Sequence, residues 1–249
     1  MRRTAIVSSD PVLTLRSHGI NNESSMSNDI FAYYDQHPDA QTALAKLRQR
    51  AINQQRQIIG LAGLPGSGKS TLAAYLKHKL SRELGERIQT VSMDGFHLSK
   101  AQLNAQPNAT ELFARRGAPW TFDGQAFSQA LIEFKTKPNQ ALGWPDFDHA
   151  KGDPEPDAIR ITPATSLLLV EGLYVFHDQH GFDLGAHQLD EKWFLDVPFS
   201  EAMSRLCLRH QQAWNMSKTD ARAWIAKNDQ LNAEITQATR QHADWLITP

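Results

Sequence analysis

Two rhythms of apolar residues alternate along this chain. Ala40, Leu44, Leu47 and Ala51 recur at helical spacing and predict a helix. Gln57-Ile58-Ile59-Gly60-Leu61-Ala62 is a short apolar run and predicts a buried strand. Leu72, Leu76, Leu80 and Leu84 mark the face of a second helix, with Gly85 placed to end it. Ile88 to Met93 predicts another strand, stopping at Asp94-Gly95. Residues 95–122 keep no period and are expected to be irregular. Asp123 can cap a helix that carries Phe127, Leu131 and Phe134 on one face. Residues 138–163 are rich in Pro and Asp, with short strands expected at 142–148 and 158–162. Leu167 to Val170 and Trp193 to Val197 read as buried strands, 199–213 and 218–235 as helices, and Asp244 to Ile247 as a last strand. Strands alternating with helices predict an α/β fold, a doubly wound parallel sheet covered on both faces.

The polar, Ser- and Asn-rich stretch before Met26 has no such rhythm. Residues 1–28 are expected to be a poorly ordered extension, with Met26 an alternative start, and 29–249 a single domain. The basic start Arg2-Arg3 lacks the apolar stretch of a secretory signal. No apolar run approaches the ~20 residues of a membrane span. A net charge of −1 gives no broad basic field for nucleic acid or acidic membrane. Cys207, the only cysteine, sits among leucines and suits packing in a reducing compartment. A cytoplasmic protein is expected, and a homodimer is compatible with the sequence.

The most specific signal lies between the first strand and the second helix. Gly63-Leu64-Pro65-Gly66-Ser67-Gly68-Lys69-Ser70-Thr71 satisfies G-x-x-x-x-G-K-[ST]. In such a loop glycines let successive N–H groups face phosphate oxygens. Lys69 would reach the β- and γ-phosphates, and the Ser70 hydroxyl would join Mg²⁺. The helix that follows adds attraction for anions at its N-terminus.

Other residues separate a kinase from a switch. Asp94, at the carboxyl end of the second strand, is placed to orient an acceptor hydroxyl and take its proton. It also sits in an Asp-Gly pair, a common turn. Glu171 ends the Leu167–Val170 run as an acid that would face Mg²⁺ and its waters. Arg205 and Arg209, four apart, are candidates to stabilise transferring charge, although Glu201 and Arg205 also form a helical ion pair by spacing. Arg115-Arg116-Gly117-Ala118-Pro119 could hold an anionic or polyhydroxyl acceptor. Trp144-Pro145-Asp146-Phe147-Asp148-His149 mixes aromatics and acids that suit a polar ring or sugar. Taken alone, either segment is also an ordinary surface loop.

These motifs occur in a fixed order. The glycine loop is followed by Met-Asp-Gly-Phe-His at 93–97 and Arg-Arg-Gly-Ala-Pro-Trp-Thr-Phe-Asp at 115–123. Pro-Asp-Phe-Asp-His at 145–149, Val-Glu-Gly-Leu-Tyr at 170–174 and Arg-Leu-Cys-Leu-Arg-His at 205–210 come next, then Asn228-Asp229 with Asn232. The set resembles the phosphoribulokinase/uridine kinase family of P-loop kinases over about residues 35–249. That resemblance implies ATP with Mg²⁺ and transfer of the γ-phosphate to a hydroxyl of a small metabolite. It implies that Asp94 is the base and that Arg205 and Arg209 belong to a lid. His97, Arg115, Arg116, Asp146, Asp148 and His149 would then lie at the acceptor. A nucleotide switch, a motor, or a regulatory protein without an acceptor is the other class. Lys227-Asn228-Asp229 does not match the guanine-reading Asn-Lys-x-Asp of a GTP switch.

Overall fold

A computed structural model describes residues 23–52 and 55–248. Two helices come first, α1 (Glu23–Gln36) and α2 (Pro38–Ala51), the second starting on Pro38 at its first turn. Strand β1 (Gln57–Gly63) leads through the glycine loop into α3 (Lys69–Leu84) and then β2 (Ile88–Ser92). After a 3₁₀ turn over Met93–Phe96 come the short helices α4 (Lys100–Asn104) and α5 (Ala109–Ala114), then α6 (Gly124–Thr136). The hairpin β3 (Leu142–Asp148) and β4 (Asp153–Ile161) precedes β5 (Leu167–Gly172), the four-residue α7 (Asp183–Ala186) and β6 (Glu191–Leu195). Helices α8 (Phe199–Trp214), α9 (Lys218–Lys227) and α10 (Asp229–Thr239) lead to the last strand, β7 (Trp245–Ile247).

The main sheet runs β2-β5-β1-β6-β7, and every pairing in it is parallel. Every residue of β5, and all of β1 after Gln57, is buried, as a sheet covered on both faces requires. The apolar faces read from the sequence are the ones that cover it. Ala40, Leu44, Leu47 and Ala51 of α2 and Leu72, Leu76 and Leu80 of α3 are buried in one core with Phe127, Leu131 and Phe134 of α6. Asp123 caps α6 as expected, its Oδ1 accepting from Ala126 N at 2.9 Å. Cys207 is buried. No helix among the described residues is long and apolar enough to cross a membrane.

Three stretches differ from the sequence reading. Residues 95–122 are not wholly irregular: α4 is held by a capping box in which Ser99 and Gln102 exchange hydrogen bonds. Helices of five and six residues are too short to show a period. The helix expected over 218–235 breaks at Asn228, whose backbone sits at φ −133°, ψ −68°. The second hairpin strand starts earlier than expected, at Asp153. The expectation of an unordered extension lies outside the described residues over 1–22, and from Glu23 the chain is helical.

Candidate active site

Parallel register places the site. Ser92 of β2, Glu171 of β5 and Leu61 of β1 lie side by side. The chain therefore leaves β1 into the glycine loop, and β2 into Asp94, at the same carboxyl edge where Glu171 lies one residue before the end of β5. This is the edge at which open α/β sheets bind ligands.

The glycine loop is built by close approach. Gly66 takes φ +82°, and a Cβ there would lie 2.3 Å from the carbonyl oxygen of Ala202 in α8. The sequence pattern makes no demand at this position, yet the structure does. Gly66→Ala should cost about 2 kcal/mol from the left-handed backbone alone, before the clash. The expected result is a lowered denaturation midpoint together with weakened nucleotide binding. Unchanged values of both would contradict this packing. Ser67 N donates to Leu64 O at 3.0 Å, and Leu72 N donates to Gly68 O at 2.9 Å, carrying the loop into the first turn of α3. Lys69, half-buried, forms no ion pair among the described residues. The Tyr34 hydroxyl of α1 lies 4.0 Å from where a Gly68 Cβ would stand, so α1 flanks the loop. The periodicity of the sequence gives no hint of this neighbour.

Glu171 is buried at the loop's edge, and Ser70 Oγ donates to its Oε1 at 3.2 Å. Its Oε2 is buried and accepts no hydrogen bond of good geometry among the described residues, although the Ser92 hydroxyl is near enough to favour the ionised carboxylate. Burial raises its pKa above the usual carboxylate value; the Lys69 charge opposes that shift and the Asp94 charge adds to it. A buried acid with an unused oxygen beside a serine hydroxyl is a donor set suited to Mg²⁺, which commonly takes few protein ligands and completes its shell with phosphate and water.

Asp94 lies in the 3₁₀ turn after β2. Its backbone is held at both ends: Asp94 N donates to Ser92 Oγ at 3.1 Å, and Asp94 O accepts from His97 N at 3.1 Å. His97 Nδ1 also donates to Asp94 O, at 2.7 Å. The Asp94 carboxylate takes no hydrogen bond among the described residues and is half-buried. His97 packs between Phe122 and Phe147, at ring-centroid distances of 3.9 and 4.7 Å. Burial lowers its pKa, so the ring is held neutral against the pull of Asp94. Ser92, missed by the sequence reading, was legible as a hydroxyl two residues before an acid in a turn.

The hairpin docks on this turn. Trp144 is fully buried and its Nε1 donates to Ser92 O at 2.8 Å. Pro145 crosses so close to Gly95 that a Cβ there would lie 2.0 Å from its carbonyl oxygen. The backbone of Asp146 is thereby brought beside Gly95, while its Oδ1 accepts from Phe147 N at 2.9 Å, and His149 lies against the ring of Phe147 at 5.3 Å. Asp148 is engaged in the hairpin turn: its Oδ1 accepts from Ala150 N and Lys151 N, and its Oδ2 pairs with Lys151. Those backbone donors, with the Lys151 amine, lower its pKa.

Arg115 and Arg116 are expected at the acceptor, but the structure gives their guanidinium groups to protein. Arg116 donates to Gly152 O, Leu98 O and Asp153 Oδ1 at 2.7, 3.2 and 3.1 Å. Arg115 donates to Lys227 O and to Asn232 Oδ1, at 3.3 and 3.1 Å, and lies over Trp120. Arg205 and Arg209 also part company. Arg205 is buried, donates to Ser67 O of the glycine loop at 3.2 Å and pairs with Glu201, so the helical pair expected from spacing coexists with a loop contact. Arg209, one turn on, is exposed.

A five-stranded parallel sheet in this order, with a phosphate loop, a strand-end acid and a helical flap over the loop, is the architecture of a P-loop nucleotide-binding protein. The chain is 40% identical over 208 residues to C227.14 of Schizosaccharomyces pombe, which carries a provisional uridine kinase name; the match covers 81% of this chain and 88% of that protein. A crystal structure from Silicibacter sp. TM1040, described as a candidate fructose transport system kinase, superimposes with a TM-score of 0.73 at 30% identity, covering 84% of this chain and 98% of that one. YFH7 of Saccharomyces cerevisiae shares the fold, with a TM-score of 0.67 at 22% identity over 84% of this chain and 97% of its own. The chain belongs to the phosphoribulokinase/uridine kinase family of P-loop kinases. A family model for the methylmalonyl-CoA mutase-associated GTPase MeaB matches residues 31–98, the stretch from α1 through the glycine loop to the Asp94 turn.

Proposed function

We propose that this kinase transfers the γ-phosphoryl group of ATP to a hydroxyl of a small molecule held between the Asp94 turn and the β3–β4 hairpin. One observation carries the reading. The Asp94 carboxylate, which takes no hydrogen bond among the described residues, stands at the same sheet edge as the phosphate loop, close enough for its charge to act on Glu171. Residues 63–71 would bind the triphosphate. Ser70 and Glu171 would hold Mg²⁺, which supplies neutralising charge on the phosphate oxygens when bound.

Asp94 accepts the acceptor's proton as its oxygen bonds to the γ-phosphorus. The bond from that phosphorus to the β–γ bridging oxygen breaks, and ADP leaves. Lys69 offsets the charge that gathers on the leaving phosphate. Arg205, buried against the loop, keeps α8 over it, and Arg209, one turn on in α8, would add its charge near the transferring group. His97, Asp146 and His149 would offer the acceptor further polar contacts, whereas Asp148 shapes the hairpin.

A second reading, a nucleotide switch, draws on the MeaB match, which covers the phosphate loop but stops before the hairpin. Acceptor-dependent ADP release separates the two. A panel of sugars, nucleosides and small hydroxy acids is expected to contain at least one compound that raises ADP release well above the rate in water. A rate set by the nucleotide alone, with every acceptor inert, would favour the switch.

A further inference from the structure

We infer that Arg115, Arg116 and Asn228 form a mechanical coupling between the flap over the nucleotide and the hairpin over the acceptor. They are positioning residues, and this assignment rests on the kinase reading above. Each end of the link is visible. Arg116 clamps the hairpin turn through Gly152 O and Asp153, and holds Leu98 O from the segment after Asp94. Its own carbonyl oxygen accepts from Asn228 Nδ2 at 3.1 Å, and Asn228 is the elbow where the expected helix divides into α9 and α10. Arg115 fastens both sides of that elbow, through Lys227 O at the end of α9 and Asn232 in α10.

The flap is tied to the same elbow from the nucleotide side. His210 of α8 donates from Nε2 to Asp229 at 2.9 Å, and Arg205, five residues earlier in α8, grips Ser67 of the phosphate loop. Hydrogen bonds thus run from the phosphate loop through α8 and the elbow to the hairpin turn. The elbow is also poised to move. Asn228 is buried, and its Oδ1 has no partner in this arrangement. A buried acceptor left unpaired favours any rearrangement that satisfies it. Two arginines whose terminal guanidinium nitrogens already donate to the hairpin turn, to Leu98 and to both sides of the elbow are better placed to transmit such a rearrangement than to bind a ligand. A chain of contacts alone does not establish coupling, so the test must perturb one end and read the other.

The experiment is hydrogen exchange of the full chain with Mg²⁺ and adenylyl imidodiphosphate, a nucleotide that does not reach the hairpin on this reading. In the wild type, exchange is expected to slow at residues 63–71, in the flap over 199–239, and also by about 5-fold or more in the hairpin over 142–161, the lower end of usual coupling between sites. In Asn228→Ala the loop and flap should still slow, and the hairpin should not. Arg116→Lys, which lacks the planar guanidinium fork that spans Gly152 O, Leu98 O and Asp153, should give the same pattern and serves if the first variant folds poorly. The packing of Pro145 on Gly95 is untouched in both variants. Hairpin slowing that persists in both would mean that this packing carries the signal, and would overturn the assignment, as would a wild-type hairpin indifferent to nucleotide. No slowing at residues 63–71 in the wild type would instead overturn the kinase reading, and the coupling with it.

Discussion

Replacing Lys69 by alanine is expected to cut turnover about 10²–10³-fold, the usual cost of removing one group aimed at developing charge. The amine stands at the first position of α3, in the mouth of the glycine loop, and forms no ion pair among the described residues. Removing it therefore breaks no ion pair among the described residues and withdraws only the charge that favours ionised Glu171. Alanine is also the better helix former at this position. Stability should stay within about 0.5 kcal/mol of the wild type, as for most substitutions away from structural contacts. Nucleotide affinity should fall about tenfold or more, because the phosphates lose a charge-assisted hydrogen bond. Calorimetric titration with ATP and a thermal melt on the same sample check both halves. Full affinity with full turnover would remove the phosphate loop from the account.

Asp94→Asn is expected to separate binding from chemistry. The turn is held by Ser92 Oγ on Asp94 N and by His97 on Asp94 O, all through backbone atoms of residue 94. The side-chain exchange leaves those bonds in place, so the melting temperature should barely move. Asparagine keeps the size of aspartate and loses the ability to accept a full proton. ATP affinity should stay near normal while acceptor-dependent turnover falls about 10²–10⁴-fold, the contribution of a positioned general base. Retained activity would move the base elsewhere, with Asp146 the next to test. Lost ATP affinity would instead assign Asp94 to the Mg²⁺ site beside Glu171.

The parts of this molecule that were legible in the sequence are those fixed by local patterns. Leu72, Leu76 and Leu80 announced α3, the Leu167–Val170 run announced β5, and the glycine loop between β1 and α3 announced phosphate binding. What escaped depends on contacts between distant residues. Asn228 ends a helix because its side chain is held by Arg116, 112 residues away, and no local period records that. Arg115 and Arg116 carry the charge expected of anion-binding groups, and only the structure shows Gly152, Asp153 and Asn232 occupying them. Gly66 is demanded by the carbonyl of Ala202, a residue of α8 far away in sequence that packs on the loop. The turn at Asp94 was visible, but the hairpin lying on it was not, because Trp144 reaches Ser92 only once the sheet has formed.

The central claim is that a small hydroxyl compound receives the γ-phosphoryl group. Its most direct test follows phosphorus from γ-labelled ATP in the presence of an acceptor panel, with products separated and weighed by mass spectrometry. One acceptor class is expected to gain a single phosphoryl group in step with ADP release, and Asp94→Asn is expected to form the same product far more slowly. Label appearing only as free phosphate, at a rate no acceptor changes, would contradict it.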